Sequence, residues 1–93
     1  MDDAAQTIIE RDQPYSKHGG FKEQGDFADK LLELLTTAPG WKHLRGYQRH
    51  ALTMDAMKTS RILHGNPDYQ DHWHDKAGYA LLVEGYILKG SPE

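Results

Sequence analysis

Two short stretches of the sequence combine residue types that can bind and process phosphates. Residues 71–75, with the sequence DHWHD, place two carboxylates, two imidazoles and an indole within five positions, and Lys58 and Arg61 lie shortly upstream. Asp71 and Asp75 share one face of a helix and can hold one Mg²⁺ ion, which prefers oxygen ligands and keeps waters for substrate phosphates. An ammonium and a guanidinium bind phosphate oxygens. The pattern therefore predicts a phosphorylated ligand.

The candidate site consists of metal ligands, phosphate-binding bases and aromatic residues that would stack on a base or close the pocket. The metal candidates are Asp71 and Asp75, and the ligand-binding candidates are Lys58, Arg61, Trp73, His74 and Tyr79. A second candidate segment begins at His18 and Gly19, where two consecutive glycines allow close backbone approach to an anion. A flexible turn with a docked aromatic residue would explain that segment equally well.

A purely structural explanation of the same residues stays open. Helix dipoles favour aspartates in a first turn and basic residues in a last turn, and a salt bridge from Arg61 to Asp71 or Asp75 would suffice. Lys58 lies too early in its helix for this explanation, and Trp73 between two histidines exceeds what a helix end needs. A zinc site is less favoured because histidines two positions apart point away from each other on a helix.

The elements that carry these residues are predicted to be three helices. The first begins at Asp26 and ends at Pro39-Gly40, and the second runs from about Tyr47 to the turn at residues 65–67, Gly-Asn-Pro. The third runs from about Gln70 to Leu88 with an apolar stripe at Trp73, Ala77, Leu81 and Leu88. We expect an all-α fold, a small bundle in which helices two and three form a hairpin. Residues 1–25 are predicted to be an irregular arm, and residues 26–93 a single helical domain.

The bulk composition narrows the class of protein. A chain of 93 residues forms one domain and buries only about 60–65% of its unfolded surface, so we expect a homo-oligomer. A net charge of −3 argues against binding of duplex nucleic acid. The chain has no cysteine, no apolar signal region and no apolar run of membrane-spanning length, so we expect a cytoplasmic protein without membrane association.

Residues 54–67, MDAMKTSRILHGNP, and 71–80, DHWHDKAGYA, carry a resemblance. The chain resembles a family of small proteins common in phages and prophages, with the pattern Lys-x-x-Arg-Ile-Leu-x-Gly-Asn/Asp-Pro followed by Asp-x-Trp-x-Asp-Ile-Ala-Gly-Tyr-Ala. An upstream His/Tyr-Gly-x-Phe is matched by residues 18–21, and a Pro-x-Trp by residues 39–41. This chain has Lys76 where the family usually has Ile. The resemblance implies the cytoplasm of a phage host.

That family is in turn similar to the all-α nucleoside triphosphate pyrophosphohydrolases of the MazG type. This similarity implies Mg²⁺-dependent cleavage by a helical oligomer, with about four carboxylates supplied by two helices. Helix two offers only Asp55 beside its two bases, and Glu33 or Asp26 on helix one would have to complete the set. We therefore favour a binder that sequesters a nucleotide or nucleotide-derived signal, blocks host defence and needs no cofactor. A pyrophosphohydrolase and a host-protein interaction module remain the alternatives.

Overall fold

The computed structural model describes residues 20–90 as three α-helices joined by short connections. The helices are α1 (Phe21–Thr36), α2 (Gly46–His64) and α3 (Gln70–Leu88), and a single 3₁₀ turn (Trp41–His43) lies between α1 and α2. No strand occurs between residues 20 and 90. The predicted all-α class and the hairpin of the second and third helices are confirmed, and the predicted limits of α3 are those observed.

The start of α1 differs from the prediction. The helix begins at Phe21 with Gly20 as its N-cap, so residues 21–25 belong to the helix rather than to an irregular arm. The Glu23 carboxylate accepts a hydrogen bond from the Gly20 backbone N–H at 2.9 Å, which satisfies one of the amide groups left unpaired at a helix start. Lys22 pairs with Asp26 one turn later at 2.9 Å. These local contacts outweigh the helix-weakening effect of Gly25, which made the segment look irregular.

The turn between α2 and α3 is closed by side-chain hydrogen bonds. Asn66 Oδ1 accepts from the Asp68 backbone N–H at 2.9 Å, an arrangement typical of asparagine in turns. Trp73, in the first turn of α3, donates from Nε1 to the Pro67 carbonyl at 2.7 Å. The indole thereby connects the first turn of α3 to the preceding loop.

Helix α2 is the central element of the described structure. Both α1 and α3 pack along it, and they make only sparse contacts with each other. The fully buried Ser60 on α2 donates from Oγ to the Gln24 carbonyl of α1 at 2.6 Å, and the Phe27 ring meets the His64 ring edge-on at 5.2 Å. The three helices therefore leave parts of α1 and α3 uncovered.

The apolar core within residues 20–90 is small. Its buried hydrophobic residues are Ala28, Ala56 and Ile62. Many large apolar side chains remain exposed instead, and on α3 they are Trp73, Leu81, Leu82, Tyr86, Ile87 and Leu88. None of the helices between residues 20 and 90 is long and apolar enough to cross a membrane.

Candidate functional site

Two crossed ion pairs join the middle of α2 to the first half of α3. Lys58 Nζ on α2 lies 2.9 Å from Asp75 Oδ2 on α3. Lys76 Nζ on α3 lies 2.7 Å from Asp55 Oδ1 on α2, and it also donates to Thr59 Oγ1 at 2.6 Å. Each helix thus supplies one acid and one base, at positions that α-helical geometry places on the facing sides.

Of the two ion pairs, Lys58–Asp75 contains the more buried lysine. The Lys58 side chain is 11% exposed, whereas that of Lys76 is 21% exposed. Partial burial weakens solvent screening, so this pair interacts more strongly than an ordinary surface pair. The hydrogen bond from Lys58 is the main reason that the pKa of Asp75 lies below its usual range. Asp75 therefore stays ionised.

His72 is the buried polar residue at the centre of this region. Its side chain is almost completely enclosed, and its ring packs against Tyr69 with the ring centres 4.8 Å apart. Burial lowers the pKa of His72, and the positive charges of Lys58 and Arg61 lower it further, while nearby carboxylates oppose them. The imidazole is therefore neutral at pH 7.

The sequence-based prediction named His74, which is exposed, and did not include the buried His72. A signal for His72 exists in the sequence. It lies three residues before Asp75, four before Lys76 and seven before Tyr79, and this spacing marks one side of a helix. That side of α3 faces α2, and the predicted apolar stripe lies on a different side.

The other predicted residues fall into separate environments. Asp71 and His74 are exposed in the first turns of α3, and Arg61 is half-buried in the last turn of α2. The Trp73 ring is 51% exposed, and its nitrogen is engaged by the turn rather than directed at a ligand. The predictions on His18 and Gly19 lie outside the described residues.

Three of the carboxylates considered as metal ligands are paired with lysines. Lys58 forms an ion pair with Asp75, and Lys76 forms one with Asp55. Asp26 on α1 pairs with Lys22. Between residues 20 and 90, no three histidine, aspartate or glutamate side chains lie close enough together to hold a metal ion. Mg²⁺ is commonly held by one or two carboxylates together with substrate phosphates, so a site on Asp71 and Asp75 stays a prediction.

A small apolar cleft continues the α2–α3 junction beyond the ion pairs. It has a volume of about 100 Å³ and is lined by Tyr47, His50, Ala51, Tyr79, Leu82, Val83 and Tyr86. The rings of Tyr47 and Tyr86 lie 5.2 Å apart at its edge. Tyr79 is one helical turn after Asp75, so the cleft and the charged cluster adjoin each other along α3.

Comparisons with known proteins return no relative. No family model, no curated protein and no solved structure matches the chain. The similarity to phage proteins and to MazG-type enzymes therefore remains a prediction from the quoted motifs.

Proposed function

We propose that the protein binds a nucleotide or nucleotide-derived signalling molecule at the α2–α3 junction and holds it intact. The observation that carries this proposal is that Lys58 and Arg61 supply positive charge at this junction, where both act on the buried His72. Phosphate oxygens carry negative charge, which basic side chains bind. The two basic residues provide the charge.

The local electrostatic balance supports an anionic ligand. Lys58 and Arg61 each shift the pKa of His72 more than Asp75 or Asp71 does in the opposite direction. Positive charge therefore has the larger effect on the pKa of this imidazole, although the whole chain carries a net charge of −3. A local positive site on an acidic protein concentrates small anions while the remaining surface disfavours polyanions such as duplex DNA.

The apolar cleft would receive the flat part of such a ligand. Its volume of about 100 Å³ is well below the roughly 300 Å³ of a complete small-molecule site, so it would hold one ring at most. The Tyr79 side chain lines it, and the charged cluster begins one turn away. A base in the cleft would direct its phosphates towards Lys58 and Arg61.

Retention without cleavage is preferred because hydrolysis of a phosphoanhydride needs charge stabilisation that metal ions held by carboxylates normally supply. Here Asp75 and Asp55 are engaged by lysines. The resemblance to phage proteins supplies a biological context, which is removal of a nucleotide signal that activates host defence. This context is an analogy with the family and depends on the motifs alone.

The direct test is incubation of the purified chain with nucleoside triphosphates, cyclic dinucleotides and ADP-ribose-type compounds, with and without Mg²⁺. We expect one compound to leave the free pool and to return unchanged after heat denaturation. Appearance of a monophosphate with pyrophosphate would instead establish the MazG-like hydrolase. An unaltered panel would overturn nucleotide binding and favour a host-protein interaction module.

Matched variants connect the result to the site. Arg61→Gln removes one of the two positive charges that lower the pKa of His72, and we expect it to weaken retention by on the order of tenfold or more. Lys30→Gln changes the net charge by the same amount, but at an exposed position of α1, and should leave retention unaltered. Equal losses in both variants would point to nonspecific electrostatic attraction.

A titration of His72 by NMR provides a readout independent of retention. An anion bound beside Lys58 and Arg61 offsets their charges, so the pKa of His72 should rise when the retained compound is added. The His72→Gln variant identifies the resonance. An unmoved pKa with a bound compound would place the ligand elsewhere on the protein.

A further inference from the structure

Helix α3 carries an apolar surface that no described part of the chain covers. Six of its large side chains are at least 46% exposed, namely Trp73, Leu81, Leu82, Tyr86, Ile87 and Leu88. The stripe that predicted this helix from sequence is part of that surface, since Leu81 is 65% and Leu88 is 78% exposed. Exposed apolar surfaces of this extent mark contact sites on soluble proteins.

The amount of surface is a substantial part of one side of a protein interface. With roughly 150–250 Å² for a large side chain, the exposed fractions of the four residues that do not line the cleft, Trp73, Leu81, Ile87 and Leu88, correspond to on the order of 450 Å². A standard interface buries about 800 Å² on each partner. Ala77 and Ala80, which are also exposed on α3, can supply part of the remainder.

The residues in the middle of this surface follow a regular spacing. Positions alternate between glycine and leucine at intervals of three, four and three residues, as Gly78, Leu81, Gly85 and Leu88. This spacing forms a seam along one side of a helix, of the kind that packs against another helix. A Cβ atom built on Gly78 or Gly85 would meet nothing within 4 Å, so packing within the described chain does not require either glycine.

We infer that α3 pairs with α3 of a second copy of this chain, in antiparallel orientation, through this seam. A two-fold axis near residue 83 places each leucine of one copy opposite a glycine of the other. Leu81 then faces Gly85 of the second copy, and Leu88 faces Gly78 of the second copy. The surface is thus complementary to itself, as a two-fold interface must be. The leucine side chains occupy the spaces that the glycines leave.

The small core explains why the pairing matters for stability. Only Ala28, Ala56 and Ile62 are buried hydrophobic residues between positions 20 and 90, and two of these are alanines. Pairing of α3 helices would bury several leucines for each copy, each contributing about 1.5–3 kcal/mol when fully buried. The inference does not depend on the proposed nucleotide site, because Lys58, Arg61 and His72 lie outside the seam.

Sedimentation equilibrium of the full chain over low to high micromolar concentrations tests the inference. We expect a dimer, and we expect Leu81→Lys to raise its dissociation constant by on the order of 100-fold. The control is Leu34→Lys, because Leu34 on α1 is equally exposed, at 67%, but lies off the seam. A monomer at all concentrations, or equal effects of the two variants, would overturn the inference.

A glycine variant separates loss of pairing from loss of folding. Gly85→Ala meets no neighbour within the chain, so it should raise the helix content of α3 while weakening the dimer about tenfold. A variant that stabilised both the helix and the dimer would contradict close approach at this seam. Circular dichroism measures the helix content of each variant, and sedimentation measures its association.

Cysteine cross-linking tests the orientation, because the chain has no cysteine of its own. In the antiparallel pair, residue 78 lies roughly 15 Å along the helix axis from residue 78 of the second copy, but opposite residue 88. We expect a mixture of Gly78→Cys and Leu88→Cys chains to form mixed disulfide dimers under mild oxidation. Efficient cross-linking of Gly78→Cys alone would show parallel pairing and contradict the proposed axis.

Discussion

Lys58 Nζ on α2 lies 2.9 Å from Asp75 Oδ2 on α3, and the lysine is the more enclosed partner of this ion pair. The ammonium therefore depends on the carboxylate for much of the solvation that it loses on folding. The same contact joins the two helices and brings positive charge next to His72. A structural role and the proposed ligand-binding role thus fall on the same residue pair.

Replacement of Asp75 should destabilise the fold more than replacement of Asp55. Asp75→Asn leaves the enclosed Lys58 without its counter-ion, whereas Asp55→Asn affects Lys76, which is more exposed and retains Thr59 as an acceptor. We expect Tm to fall by on the order of 5 °C for Asp75→Asn and by less for Asp55→Asn. Thermal unfolding followed by circular dichroism measures both. The additional change Lys58→Met should recover part of the loss in Asp75→Asn, and a further decrease would contradict this account.

Acidification should destabilise the protein through His72. The pKa of His72 is lowered in the folded state by burial and by Lys58 and Arg61. The unfolded chain therefore binds a proton that the folded chain does not, as the pH falls below about 6.5. Stability from the neutral imidazole is complete above that pH and declines below it, by at most about 1.4 kcal/mol per pH unit. Urea unfolding at several pH values between neutrality and pH 5 measures the decline.

The His72→Gln variant is the control for this pH dependence. Glutamine does not titrate, so the variant should show a flatter dependence of unfolding free energy on pH over the same range, whatever its absolute stability. An identical slope in the variant and the parent chain would assign the effect to another group.

The hydrogen bond between Ser60 and Gln24 should contribute measurably to the packing of α1 on α2. Ser60 is fully buried and donates to a main-chain carbonyl of the neighbouring helix at 2.6 Å. We expect Ser60→Ala to cost about 1 kcal/mol of unfolding free energy. Thr53→Ala is the matched control, because Thr53 donates only to Arg49 within its own helix. Thr53→Ala should lower the unfolding free energy by less than about 0.5 kcal/mol, since alanine has a high helix propensity. Equal costs would argue against a role of Ser60 between the helices.

Two glycines should respond to alanine in opposite directions. Gly25 lies inside α1, and a Cβ there meets nothing within 4 Å, so Gly25→Ala should stabilise the protein by about 0.5–1 kcal/mol. Gly90 follows the end of α3 with φ of +71°, a conformation that alanine adopts only with strain. We expect Gly90→Ala to destabilise by about 1 kcal/mol. Chemical denaturation of both variants checks the signs, and the same sign for both would refute the argument.

The number and order of the helices were predictable because their signals are local. Proline and glycine at 39–40, and the Gly-Asn-Pro turn at 65–67, stop helices through their own backbone preferences. The start of α1 was not predicted, because Gly25 weakens the helical pattern and the supporting contact from Glu23 to Gly20 is a side-chain geometry. The pattern around Asp26 looked like a helix start and lies inside one.

The candidate site was predicted only in part. The approach of Lys58 to Asp75 follows from a short hairpin turn, which brings the two helices together in antiparallel order. The burial of His72 and the exposure of His74 depend on which side of α3 faces α2. Engagement of Trp73 by the Pro67 carbonyl depends on the path of the turn. Neither the burial of His72 nor the hydrogen bond of Trp73 can be inferred from the spacing of residues along one helix.

The sequence by itself determined the all-α class, the hairpin and the limits of α3, since helix periodicity, caps and turn residues act over a few positions. The tertiary structure decided which side of α3 is buried. The apolar stripe at Trp73, Leu81 and Leu88 is exposed, and a side with charged and polar residues packs on α2. The physical reason is that periodicity fixes only the relative directions of side chains around one helix. Charges on α2, which precedes the turn, face α3 once the chain has turned back and select the side of α3 that makes contact.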